Sequence, residues 1–139
     1  MPAHSEEQRN EYLEQAIRLA IRNVSDGGGP FGAVVVTPDG AVHEGVNRVT
    51  RDNDPTAHAE VVAIRRAAAD TANFDLTGSV LYASCEPCPL CLSATLWATP
   101  SGVGQPCSAW TVIRNAIRVA FGPCQPSPVA ISPTGRSRR

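Results

Sequence analysis

Two short motifs set the strongest condition on how this chain can fold: His58-Ala59-Glu60 and Pro87-Cys88-Pro89-Leu90-Cys91. Each precedes or opens a run of apolar residues at helical spacing, so each reads as the first turns of a helix. Cys88 and Cys91 are three apart, and one helix face presents both sulfurs. A helix start carries partial positive charge and unpaired N–H groups, which favour thiolate over thiol. A fold that brings His58 beside them offers an imidazole and two thiolates, three ligands of a tetrahedral zinc site with the fourth position open to water. An open position separates a catalytic ion from a structural one. Zinc with two thiolates is formally neutral and acidifies water less than an all-histidine site would, so a base must help. Glu60, two residues past the imidazole, is the candidate to move that proton, since it is not needed as a ligand.

Other readings of the cysteines compete with this one. Cys85 extends the row to C-x2-C-x2-C, an iron–sulfur pattern, but a fourth cysteine would have to stand where Thr95 stands. A purely structural zinc lacks its fourth ligand. Cys85 is therefore read as a small apolar residue at a strand end. Five cysteines, three of them crowded together, make a poor disulfide framework and suit metal or thiol chemistry in a reducing compartment.

Length and composition fit one domain: the chain has 139 residues, is 42% hydrophobic and is 18% charged. That is enough to bury a core. The net charge of -1 gives no global reason to expect a nucleic-acid or membrane partner. No apolar run reaches the roughly 18 residues of a membrane span, and the first residues lack a signal-peptide core, so cytoplasm is the expected location.

Ser5 with Gln8 three residues on predicts a capping box. A helix follows, whose apolar positions are Tyr12, Leu13, Ala16, Ile17, Ala20 and Val24. Gly27-Gly28-Gly29-Pro30 stops it. Phe31 to Thr37 reads as a strand, Pro38-Asp39-Gly40 as a turn, and Ala41 to Asn47 as the hairpin partner. Residues 48–54 read as polar loop. Asp54-Pro55 suits the cap and first position of a second helix carrying Val61, Val62, Ile64, Ala67 and Ala68. A strand is expected over 79–84, then a third helix opened by Glu86-Pro87 and carrying Cys91, Leu92, Ala94, Leu96 and Trp97. The order α-β-β-α-β-α predicts an α/β fold, a sheet between helices.

The charge is divided along the chain. Residues 1–99 hold all 13 acids against 7 arginines, a net of -6; residues 100–139 hold no acid and 5 arginines. That last segment also holds 6 of the 12 prolines. We therefore expect a catalytic domain over 1–99 and an atypical Pro/Ser/Arg-rich tail over 100–139. Two readings of the tail stand: an out-of-frame 3′ end, favoured by the abrupt loss of acids, and a genuine divergent tail in which 117–122 supplies a strand.

The wording around the two motifs resembles the bacterial guanine deaminases of the cytidine-deaminase-like zinc superfamily. The residues that carry the resemblance are Gly29-Pro30-Phe31-Gly32-Ala33-Val34, Asn47, Asn53-Asp54-Pro55-Thr56-Ala57-His58-Ala59-Glu60 and Ser84-Cys85-Glu86-Pro87-Cys88-Pro89-Leu90-Cys91. H-x-E with P-C-x-x-C is the signature of zinc nucleobase deaminases. The resemblance covers roughly residues 5–98. It implies a three-layer α-β-α fold with a central mixed five-stranded sheet, a homodimer and one zinc per chain. It implies Asn47, Phe31 and the backbone at Ala59 as contacts to a free purine, a small-molecule substrate. The implied reaction is hydrolysis at C2 of guanine, giving xanthine and ammonia, with Glu60 protonating a ring nitrogen and then the leaving amine. On the residues alone, Phe31 fits core packing equally well, and Asn47 fits the end of a hairpin. In these relatives the C-terminal segment brings an acidic and an aromatic residue to the partner's site; here no acid follows Glu86. A tRNA adenosine deaminase is the alternative enzyme, disfavoured by the acidic body, and an inactive zinc-binding remnant is the alternative without activity. Arg65-Arg66 reads as solvated surface.

Overall fold

The computed structural model describes residues 4–98. Helix α1 spans Glu6–Ser25, and the expected capping box is present: the Ser5 hydroxyl accepts from the Gln8 N–H (3.2 Å) and the Gln8 side chain accepts from the Ser5 N–H (2.9 Å). Strands β1 (Gly32–Val36) and β2 (Val42–Val46) form the expected hairpin around a turn at 37–41. A four-residue helix, α2 (Val49–Asp52), occupies the stretch expected to be loop. Helix α3 (Ala59–Asp70), strand β3 (Val80–Ala83) and helix α4 (Pro89–Ala98) complete the described elements.

Among the described residues the sheet has three strands in the order β2-β1-β3, and both pairings are antiparallel. The further strands of the expected mixed sheet, the candidate strand at 117–122 and the tail 100–139 as a whole lie outside the described residues. The helices flank the sheet: α1 packs on one face, α3 on the other, and α4 lies against α3. Strand β1 is buried on both sides. Val34 and Val36 meet Leu13 and Leu19 of α1, while Ala33 and Val35 meet Ala59, Ala63 and Ala67 of α3. Each such fully buried valine contributes about 1.5–3 kcal/mol relative to exposure.

The helices sit unusually close to the strands because glycine occupies the crossing points. A Cβ on Gly45 would collide with the Ala59 carbonyl oxygen and the Ala63 nitrogen; one on Gly32 would collide with the backbone of α1 at Ala16 and Ala20. Tyr82, 1% exposed on β3, extends its hydroxyl to His4 Nδ1 (2.6 Å). Burial pushes the Tyr82 phenol up to about 12.

Several expectations need correction. The buried stripe of α1 is Leu13, Ala16, Leu19, Ala20 and Asn23, while Val24 is 52% exposed. The second long helix starts at Ala59 and not at Asp54-Pro55. The Asp54 carboxylate instead accepts from the Thr56 N–H (2.8 Å) and the Thr56 hydroxyl (2.7 Å). Such a local turn competes with a helical cap. Helix α4 starts at Pro89, where a ring without N–H costs nothing. Trp97 is 80% exposed on it and does not join the core of the described residues.

Replacing Gly45 by alanine should cost about 1–3 kcal/mol, because the obstruction is backbone on both sides. Urea unfolding of the two proteins checks this, and an unchanged midpoint would contradict the close approach.

Candidate metal centre

The loops that matter gather at one end of the sheet. Gly32 pairs with Val46, and Ala33 pairs with Ala83, so Phe31, Asn47 and Ser84 leave the sheet together. Backbone bonds tie them. The Asn47 N–H donates to the Phe31 carbonyl (3.1 Å), and the Arg48 N–H donates to the Ala57 carbonyl (2.9 Å), one residue before His58. Ser84 closes the other side: its N–H donates to the Gly32 carbonyl (2.9 Å) and its hydroxyl accepts from the Gly32 N–H (3.0 Å).

His58 stands at the cap position of α3 in extended backbone conformation, and its side chain makes no capping bond. Its ring is turned instead to the sulfurs. Nδ1 lies 3.5 Å from the Sγ of Cys88 and 3.5 Å from the Sγ of Cys91, and the two sulfurs are 3.6 Å apart. Tetrahedral zinc with Zn–S near 2.3 Å and Zn–N near 2.1 Å spaces such ligand atoms about 3.6–3.8 Å apart. The triangle therefore fits that ion, and it is the one cluster of this kind found among the described residues. Cys91 is fully buried, and Cys88 and His58 are half-buried.

Glu60 lies in the first turn of α3, 5% exposed, with Oε2 accepting from the Cys91 thiol at 3.3 Å. It borders the triangle and is not one of its corners. Burial, and then the Glu60 carboxylate, push the Cys91 thiol well above the usual thiol range. The helix start was expected to lower it; desolvation and a neighbouring negative charge act in the opposite direction. Such a group ionises readily only when a cation takes the place of its proton.

The remaining sequence candidates lie around this centre. Phe31 is 38% exposed, immediately before β1. Asn47 is half-buried, and its Oδ1 accepts from the Val49 N–H (3.3 Å). Ala59, 1% exposed, opens α3, which has no side-chain cap; the first N–H groups of a helix have no intrahelical partner. Two supports escaped sequence reasoning. Arg65 is exposed, as expected, and from the surface it donates to Asp54 (3.2 Å) and to the Thr56 hydroxyl (3.1 Å), so it also braces the loop before His58. Asp-x-Thr spacing signals the turn, but nothing local signals its arginine. The second is Asn23, a lone amide on an apolar stripe, which is a readable signal of a buried polar contact.

With this geometry in place, the class of the chain follows: it belongs to the family of the cytidine and deoxycytidylate deaminase zinc-binding region, whose model matches residues 6–104. Within that family it is 52% identical over 93 residues to the guanine deaminase of Bacillus subtilis, a match covering 66% of this chain and 60% of that protein. The X-ray structure of that enzyme superposes with a TM-score of 0.63 over 68% of this chain and 59% of the other. The guanine deaminase of Nitrosomonas europaea superposes at 0.60 with 30% identity, covering 69% of this chain and 55% of that one. A tRNA-specific adenosine deaminase of Haemophilus influenzae is 38% identical over 93 residues, covering 63% of this chain and 54% of that protein. The chain thus spans somewhat more than half the length of these relatives.

In metal-free protein at pH 8, Cys91 should resist iodoacetamide while Cys88 is modified first, because Cys91 is buried and held protonated. Peptide mass spectrometry checks the order, and labelling of Cys91 ahead of Cys88 would contradict it.

Proposed function

We infer that the chain is a zinc-dependent hydrolase of C–N bonds in cyclic amidines, acting on a free purine base and on guanine first. The observation that carries this reading is the triangle of His58 Nδ1 and the Cys88 and Cys91 sulfurs, with the Glu60 carboxylate beside it and outside it. His58, Cys88 and Cys91 would hold one zinc per chain, and the chemistry supplied there is Lewis-acid activation of water. Glu60 takes one proton from water at Oε2 and delivers it to a ring nitrogen of the base as the C–O bond forms; it then carries the remaining proton of that oxygen to the amine, which leaves as ammonia as the C–N bond breaks. Its burial keeps that proton from exchanging with bulk solvent. The Asn47 amide orients the purine by hydrogen bonding, Phe31 walls the ring, and the free N–H at Ala59 meets a polar edge of the base. The likeness to guanine deaminases at 52% identity supports guanine as the base, with xanthine and ammonia as products.

The domain that does this is residues 1–99. Thiol ligands suit a reducing compartment, so we place the protein in the cytoplasm; no helix among the described residues is long and apolar enough to cross a membrane. A homodimer fits the apolar side chains that α4 leaves exposed, Leu90, Leu96 and Trp97.

Zinc-loaded protein incubated separately with guanine, adenine, cytosine and a tRNA substrate should release ammonia from guanine fastest. Faster release from tRNA would transfer the protein to the adenosine deaminases, and no release from any of them at full zinc occupancy would leave an inactive zinc-binding remnant. Glu60→Gln should keep zinc and lose turnover by about 10²–10⁴-fold, since the amide cannot carry the proton. Zinc loss from a folded Glu60→Gln protein, read by metal analysis, would contradict the division of roles. Cys88→Ala should lose the metal and lower the melting temperature.

A further inference from the structure

Asn23 is the buried amide on the inner stripe of α1, 3% exposed at a position in register with Leu13, Ala16 and Ala20. An amide in such a place is tolerable only if its hydrogens are used. Both are: Nδ2 donates to the Gly29 carbonyl (2.8 Å) and to the Asn47 carbonyl (2.9 Å). Because both partners are acceptors, the orientation of the amide is fixed by its surroundings. The two carbonyls belong to the two loops that carry Phe31 and Asn47. The Gly29 carbonyl also accepts from the Phe31 N–H (2.8 Å), and the Asn47 N–H returns to the Phe31 carbonyl (3.1 Å), so one side chain closes a ring of bonds around both.

The loop is moulded to this amide. The Gly28 N–H donates to the Asn23 carbonyl (2.8 Å), and a Cβ on Gly28 would lie 2.7 Å from Asn23 Cγ. A Cβ on Gly29 would lie 3.0 Å from Asn47 Cγ. Glycine at these places lets the loop rest directly on the two asparagine side chains.

We propose that Asn23 is a positioning residue for the base-binding pocket: through the Gly29 and Asn47 carbonyls it sets the separation of Phe31 and Asn47, and so the affinity for the purine. This rests on the reading of those two residues as base contacts. Asn23 touches neither Glu60 nor the zinc triangle, so it governs binding and leaves proton transfer alone.

The test is Asn23→Asp, which keeps the shape and turns a double donor into an acceptor facing two carbonyls. KM for guanine should rise about tenfold while kcat stays within about twofold. Zinc content should match the wild type, and the Asn47 amide should exchange faster with deuterium. Lowering the pH should narrow the KM difference, because burial raises the pKa of the new carboxyl and its protonated form regains one donor. Gly28→Ala, which presses on the same amide from the loop side, should raise KM in the same direction. A merely structural role would lower the melting temperature and the active fraction with KM unmoved. Unchanged KM in both variants, or kcat and zinc falling together, would overturn the proposal, as would failure of both variants to fold. Wild-type protein that releases ammonia from no base would sink the functional reading itself, a result distinct from normal wild-type turnover with unshifted variants.

Discussion

The close approach of α3 to β2 at Gly45 is the contact on which the rest of the arrangement depends. The Ala59 carbonyl and the Ala63 nitrogen lie against the strand where any side chain at residue 45 would stand. The helix is therefore seated backbone on backbone, with alanines at 59, 63 and 67 completing the contact. Across the sheet, α1 rests on Gly32 in the same manner. Helices placed this way have little freedom to shift when neighbouring side chains repack, because no flexible layer separates them from the strands. His58 precedes the seated end of α3 by one residue, so its imidazole inherits that fixed position. Groups that must share an ion need this kind of support.

The electrostatics of the centre follow from what is buried there. Glu60 and Cys91 lie 3.3 Å apart with the thiol proton between them, both almost wholly removed from solvent. Removing that proton would leave two negative groups side by side in a poorly screening environment. A divalent cation among His58, Cys88 and Cys91 offsets that repulsion.

The parts of the molecule legible in the sequence were those fixed by short-range chemistry. The Ser5–Gln8 box, the 38–40 turn and the ligand spacing of Cys88 and Cys91 each depend on residues within three or four positions of one another. The hairpin and one further strand were legible as runs, but the pairing of β3 with β1 and its antiparallel direction were not, since they join residues about fifty positions apart. Misreadings arose where two local preferences competed or where a partner was distant. Asp54-Pro55 has the composition of a helix start, but its carboxylate is occupied by Thr56 two residues on. The stripe of α1 was placed one residue off at its end, because Asn23 finds its acceptors on loops that the sequence does not place beside it. Val24 gives way to that amide and turns to solvent. Arg65 was legible as surface charge but not as a brace, since its partners precede it by 11 and 9 residues.

The hairpin tip shows the reverse of this dependence. Thr37, Asp39, Gly40 and Ala41 close the turn among themselves, with Gly40 at φ +84° and the Thr37 N–H donating to the Ala41 carbonyl (2.9 Å). They lie at the Val36–Val42 end of the ladder, at the opposite end from Gly32 and Val46. That separation is about 14 Å of strand. An epitope or fluorophore grafted between Asp39 and Gly40 would ride at the far end of the β1–β2 ladder, giving a handle for immobilisation away from the end that carries the chemistry.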